Sequence, residues 1–256
     1  MKKIVVLGRG FLGKAFEKAG FEVRGKEFVI EENIAELINY DVIINCIAKS
    51  NTRWCEKNFE PALYSNAIIP KALSSFCKET NKKFVHISTG CLYDGEEDLH
   101  DEQSFIAAHC NYTVTKWAGE KFCSELDLIL RPRLLFADYE DKNNLLCKLS
   151  NFNKYVVEEN SYTSVDIIVE ATKALLTANK YGIYNVCCDG HASVALLAKW
   201  LGLKGEPMSG KELIDSQKLY LVNCVMDISK LKSVYHPPLL RDEVERCWES
   251  LKQEDE

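Results

Sequence analysis

The feature that most restricts what this chain can fold into is Gly8-Arg9-Gly10-Phe11-Leu12-Gly13, three glycines spaced G-x-G-x-x-G directly after the apolar run Ile4-Val5-Val6-Leu7. A short apolar run bounded by a turn reads as a buried strand, and the segment Phe11 to Lys18 reads as a helix. A strand that turns on glycines straight into a helix opens a parallel α/β sheet, because parallel neighbours need a crossover connection.

The same rhythm continues through the first half of the chain. Strands are expected over Lys3 to Leu7, Phe21 to Arg24, Val42 to Cys46, Phe84 to Ser88 and Leu128 to Arg131, with helices near Phe11 to Lys18, Ala62 to Glu79 and Tyr112 to Ser124. After Arg133 the rhythm loosens through Ala137 to Asn144 into helices at Val165 to Thr177, Ala192 to Leu201 and Arg241 to Lys252, with isolated strands at Tyr155 to Val157 and Ile183 to Cys187. The expected fold class is therefore α/β. A Rossmann-type doubly wound parallel sheet occupies residues 1–135, and a smaller C-terminal α/β substrate lobe occupies 136–256, with some segments returning to the first domain. At 256 residues and 46% hydrophobic composition the chain has ample material for a core.

Charge and cysteine content exclude several classes. A net charge of -6 supplies no basic field for nucleic acid. The apolar run before Gly8 is too short for a secretory signal, and no segment approaches the roughly 18 apolar residues of a membrane span. The 11 cysteines show neither CxxC pairs nor zinc-like His/Cys spacing, which points to reduced thiols in a cytoplasm and to no metal site. A small-molecule partner is expected.

In a strand-turn-helix context the glycine spacing has a mechanism. Gly8 permits the tight turn, Gly10 lets the backbone approach a pyrophosphate, and Gly13 allows close helix packing. The helix N-terminus at Phe11 and Leu12 then holds phosphates through its amides and dipole. The choice of dinucleotide turns on the edge beyond it. Glu27 would favour NAD(H) by binding ribose hydroxyls, whereas Arg9, Arg24 and Lys26 bring three cations to the same edge and favour NADP(H).

Tyr112-Thr-Val-Thr-Lys116 puts a phenol and an amine on one helix face, one turn apart, where an ammonium would lower the phenol pKa. With 11 tyrosines in the chain, one such pair is expected about once by chance, so position has to supply the weight. The pair follows the strand-to-turn segment Phe84-Val-His-Ile-Ser88-Thr89-Gly90-Cys91, so hydroxyl, phenol and amine can meet at one sheet edge. The five histidines form no evident pair and read as structural or exposed.

These pieces, with Asn45-Cys-Ile-Ala48, Ser65-Asn66-Ala67, Arg131-Pro-Arg133 and Gly182-Ile-Tyr-Asn-Val186, resemble the extended short-chain dehydrogenases/reductases that act on nucleotide sugars. Their order is similar to that of dTDP-4-dehydrorhamnose reductases. Trp54-Cys55-Glu56, Thr89-Gly90-Cys91, Asn144-Leu-Leu-Cys-Lys148, Lys154 and Ser161-x-Thr163-x-x-Asp166 resemble the nucleotide-rhamnose synthase epimerase/reductases of plants and some large viruses. The glycine turn is one residue shorter than the extended family's usual Gly-x-x-Gly-x-x-Gly.

The resemblance implies a 4-keto nucleotide sugar as substrate. It makes Tyr112 the proton donor to the C4 oxygen, and it makes Lys116 the group that lowers the tyrosine pKa and holds the nicotinamide ribose. Thr89 would bond the keto oxygen, with Ser88 the weaker candidate, and Ala48 joins the cofactor contacts. Cys91 as base and Lys148 as acid would add 3,5-epimerisation, since a C4 ketone acidifies the protons at C3 and C5. Trp54, Asn144 and Arg133 are the candidate contacts to diphosphate or sugar, and a homodimer is the candidate assembly. Two other readings stay open: a 4-reductase without epimerase activity, and a non-catalytic NADP-binding regulatory subunit on the same fold.

Overall fold

The computed structural model describes residues 2–93, 95, 99–217 and 223–254. It divides into two compact units, one of residues 1–92, 107–131 and 175–184, the other of 93–106, 132–174 and 185–256.

The first unit is built on the expected strands: β1 (Ile4–Leu7), β2 (Glu22–Arg24), β3 (Val42–Asn45), β4 (Lys83–Ile87) and β5 (Leu128–Pro132). They pair in parallel in the order β5-β4-β3-β1-β2. The order reverses between β1 and β3, and such a switch leaves a crevice beyond the carboxyl ends of those strands. β3 is buried along its whole length and β1 nearly so, as strands covered by helices on both faces must be. One face packs Val5, Leu7, Ile43 and Phe84 against Leu37, Leu73 and Cys77.

Two expectations need correction. Ile183 to Cys187 is no isolated strand, because Gly182–Val186 joins β5 as the sixth strand of the main sheet. Its apolar run marks it as a strand but cannot say which partner it finds. The helix expected over Ala62 to Glu79 is also not continuous. Phe59–Leu63 and Ile69–Glu79 are α-helical, and Tyr64–Ile68 between them is one wide π turn. There Asn66 is fully buried; its amide accepts from the Lys49 N–H (2.8 Å) and donates to the Lys49 carbonyl (3.0 Å) and to Thr115 Oγ1 (3.0 Å).

The second unit carries the helices Val165–Thr177, Val194–Trp200 and Leu240–Glu254 and several two- or three-residue strands. Polar links hold it together: buried Ser164 donates to Glu243 (2.7 Å), and the more exposed Arg246 bonds both Glu243 (2.8 Å) and Asp166 (2.9 Å). Among the described residues no helix is long and apolar enough to cross a membrane, and no group of His, Cys, Asp and Glu is placed to hold a metal ion.

Candidate active site

Three neighbouring strand ends carry the candidate groups of the first unit. After β1, Gly8 has φ +104°, and a Cβ there would lie 2.8 Å from the Ile47 nitrogen; a Cβ on Gly13 would lie 1.9 Å from the Gly8 carbonyl oxygen. Both positions need glycine for the chain's own packing. Gly10 does not. Its backbone is ordinary extended chain (φ -91°, ψ -161°), and a Cβ added there meets nothing within 4 Å. Neither conformation nor packing asks for a bare backbone at Gly10, so the bare backbone is left facing open space at the N-cap of the helix Phe11–Lys18, where a phosphate group fits.

At the adjoining edge the cations come with partners. Arg9 donates to the Val23 carbonyl (2.9 Å) and pairs with Glu17 (3.1 Å), while Arg24 pairs with Glu22 (2.9 Å) and reaches the Tyr40 hydroxyl (3.1 Å). Lys26 is exposed. Glu27 folds back to accept the Gly25 N–H (2.5 Å); that bond holds its carboxyl below the usual range, with Arg9 and Arg24 adding to the effect. Acid and cations therefore share one short loop after β2.

After β3, Asn45 is buried and Ala48 is exposed. The Asn51–Asn58 segment then docks on the Tyr112 helix (Asn111–Phe122): the Glu56 carboxylate accepts the Asn111 N–H (2.7 Å), a favourable position for an acid at a helix N-terminus. Trp54 is half-buried beneath the Lys49 ammonium, 5.2 Å from the ring centre.

After β4, Ser88 and Thr89 are each 5% exposed. Thr89 Oγ1 accepts the Cys91 N–H (3.1 Å) and its side chain is hydrogen-bonded to Tyr112. Ser88 Oγ has no hydrogen-bond partner among the described residues. Three thiols act on Tyr112 electrostatically. Burial first, and then Cys91, with Cys55 and Cys110 further down, push its phenol above the ordinary value, against the opposing bond to Thr89. The structure thus brings Thr89, Tyr112 and Cys91 together.

Lys116 follows Tyr112 by one turn of the same helix. It is 1% exposed, and Nζ donates to the Ile87 carbonyl (2.6 Å) with His86 Nε2 at 3.5 Å, so it sits under the end of β4. Burial lowers its pKa to about 8, with Glu120 the largest opposing influence. His86, set aside in the sequence as a lone histidine, is fully buried between Asn45 (3.2 Å) and Lys116. Its signal lies in register: it alternates onto the same face as Phe84 and is paired across the sheet with Asn45.

The second unit carries the remaining candidates. Asn144 is fully buried and caps the helix Leu145–Leu149: Oδ1 accepts from Ala137 (3.2 Å) and Leu146 (3.1 Å), and Nδ2 donates to Ala137 (3.0 Å) and Tyr139 (2.8 Å). With two bonds on each end of the amide, it shapes a loop and has nothing left for a ligand, a correction to its expected sugar contact. Arg133 is buried with its guanidinium on Asn160 Oδ1 (2.9 Å). Lys148 is exposed, reaches the Asn143 carbonyl (3.4 Å), and lines an open hollow of about 690 Å³ with Asp141, Lys142 and Trp248. Burial of its stem lowers its pKa, with Asp141 opposing.

Known proteins resemble this chain in sequence and fold. A trifunctional UDP-glucose 4,6-dehydratase/UDP-4-keto-6-deoxy-D-glucose 3,5-epimerase/UDP-4-keto-L-rhamnose-reductase of Arabidopsis thaliana is 24% identical over 204 residues, 72% of this chain; the match spans only 30% of that relative's length. Among solved structures, the L780 UDP-rhamnose synthase of Acanthamoeba polyphaga mimivirus superposes with a TM-score of 0.85 at 18% identity, covering 98% of this chain and 100% of that one. The dTDP-4-dehydrorhamnose reductase of Bacillus anthracis in complex with NADP superposes with a TM-score of 0.83 at 21% identity, covering 97% and 99%. At such identities the structural likeness is one of fold. The model of the RmlD substrate binding domain matches residues 10–201, and the chain belongs to that family.

Proposed function

We propose that this chain reduces the C4 ketone of a nucleotide-linked 4-keto-6-deoxyhexose with NADP(H), and that it also epimerises C3 and C5, giving UDP-L-rhamnose or a related L-sugar. The observation that carries the reading is the Thr89–Tyr112 hydroxyl pair at the carboxyl end of β4, one helical turn before a buried lysine. It is supported by the names of the Arabidopsis relative and of the Bacillus anthracis structure with its NADP.

On this reading the first unit holds the cofactor. Gly8, Gly10 and Gly13, with the amides of Phe11 and Leu12, take the pyrophosphate; Arg9, Arg24 and Lys26 take the adenosine ribose end; Ala48, Tyr112 and Lys116 lie toward the nicotinamide. The bound dinucleotide supplies the hydride. Tyr112 supplies the proton to the C4 oxygen as hydride arrives. Thr89 orients the same oxygen, with Ser88 beside it. Trp54 and Arg133 contact the sugar diphosphate. Cys91, which borders Tyr112, serves as the epimerisation base and Lys148 as the acid. The thiols fit a cytoplasmic enzyme.

A 4-reductase alone is the second reading. It is favoured by the exposure of Lys148 and by the reductase-only name of the Bacillus anthracis neighbour. One experiment separates the readings: incubation with NADPH and UDP-, dTDP- and GDP-4-keto-6-deoxy sugars, each offered before and after 3,5-epimerisation, in D2O, with products identified by NMR. Deuterium at C3 and C5 that disappears in Cys91→Ser supports both activities. Reduction without deuterium leaves the reductase, and no reduction of any sugar leaves a binding protein.

A further inference from the structure

The site described so far leaves His86 without a task, yet it is a fully buried titratable ring touching a candidate catalytic lysine. Its proton can be placed from its neighbours. Asn45 Oδ1 accepts the Ile47 N–H (3.1 Å), which orients the amide so that Nδ2 faces His86 Nδ1 at 3.2 Å. An amide NH2 only donates, so Nδ1 must be the lone-pair nitrogen and a neutral ring carries its hydrogen on Nε2. Burial, and then Lys116, keep the ring neutral by holding it well below the usual histidine range.

That Nε2–H points at Lys116 Nζ, 3.5 Å away. Against an ammonium it sets donor against donor; against an amine it donates into the nitrogen lone pair while Nζ still donates to the Ile87 carbonyl at 2.6 Å. The other titratable groups around Nζ are Glu120 and Cys123 on its own helix and Cys46 after β3. Glu120 is bound by both nitrogens of the Arg131 fork, at 2.9 and 2.6 Å.

We propose that Asn45 and His86 are positioning residues for Lys116: Asn45 fixes the His86 tautomer, and the resulting Nε2–H makes the Ile87 carbonyl the lysine's acceptor and favours its neutral amine. The consequence for turnover rests on the catalytic reading of Lys116 above; the tautomer and the lysine titration do not. Lys116 then remains a cation at neutral pH but loses its proton in the mildly alkaline range, so Asn45 and His86 set the alkaline limb of the rate.

The test uses the full chain without added cofactor, labelled with 15N in histidine and 13C and 15N in lysine. The expected spectrum shows His86 as the Nε2–H tautomer and a Lys116 titration midpoint near 8. Asn45→Asp keeps an acceptor for Ile47 but turns the group facing Nδ1 into an acceptor, so the ring proton moves to Nδ1 and the Nε2 lone pair meets the ammonium. The midpoint then rises by about one pH unit or more, and the alkaline limb of turnover moves with it. His86→Gln, which can offer its oxygen to Asn45 and its NH2 to Lys116, restores a midpoint close to the original. An Nδ1–H tautomer in the unaltered chain, or an unmoved Lys116 midpoint in folded Asn45→Asp, overturns the proposal. Both are read by NMR even if no 4-keto sugar is reduced.

Discussion

Two consecutive turns of the Tyr112 helix bury opposite charges in opposite ways. Lys116 and Glu120 lie four residues apart on one face, 1% and 7% exposed. Glu120 meets a complete partner, the Arg131 guanidinium on β5, through two short bonds (2.6 and 2.9 Å). Lys116 meets a carbonyl and a ring N–H, and among the described residues no carboxylate lies within ion-pair distance of Nζ. The turn deeper along the helix is a structural clamp between helix and sheet. The turn nearer the carboxyl ends of the strands holds a charge the fold does not stabilise, as expected where a proton has to move.

The largest effect should come from the clamp. Arg131→Met leaves the Glu120 carboxylate buried without its partner and should cost about 3–5 kcal/mol in urea unfolding; a loss under about 1 kcal/mol would erase the contrast between the two turns. Tyr112→Phe should lower turnover of a 4-keto sugar by about 100-fold or more while leaving dinucleotide binding in place, measured by steady-state kinetics and fluorescence titration.

Between the two turns, Gly119 lets the helix approach its neighbours closely: a Cβ there would lie 2.2 Å from the Asn66 carbonyl oxygen and 3.5 Å from His86 Nε2. Gly119→Ala should therefore push the helix away and destabilise the chain by about 1–3 kcal/mol, seen as a lower unfolding midpoint.

The smallest effect has the opposite sign. Lys116→Met should stabilise the chain at pH 7, by about 1–2 kcal/mol, because a buried charge without an ionic partner is replaced by an apolar chain of similar length. The pH dependence follows from the folded pKa of about 8 against the usual 10.5. Between these values the unfolded chain binds more protons, so stability rises with pH across the window, and the cost is full below it. In Lys116→Met that part of the rise vanishes. Lys83, lowered by burial to about 8 as well, keeps its own share in both proteins. A variant less stable than the parent at pH 7 would show that Lys116 is as much a clamp as Glu120.

Much of the scaffold was legible because its causes are local. The helix Phe11–Lys18 and the helix Val165–Thr177 begin and end where the apolar spacing places them. The pairing of Gly182–Val186 and the wide turn at Tyr64–Ile68 were not legible, since each depends on partners far along the chain: the turn lets Asn66 reach Lys49 and Thr115. Asn144 misled for the same reason. A polar side chain next to a helix start reads equally as cap or as ligand contact until its four partners are known.

By itself the sequence determined the strand, glycine turn and helix at the N-terminus, because φ +104° at Gly8 and the clash that any Cβ would make at Gly13 are properties of the backbone within a few residues. It also made one edge of a parallel sheet the expected meeting place of Thr89, Tyr112 and Lys116. Only the tertiary structure decided what each buried polar group faces. Sheet register set Asn45 against His86, and helix docking set Lys116 on the Ile87 carbonyl while Arg131 took Glu120. A proton's place is settled by those partners, and residues dozens of positions apart meet only when the chain is folded.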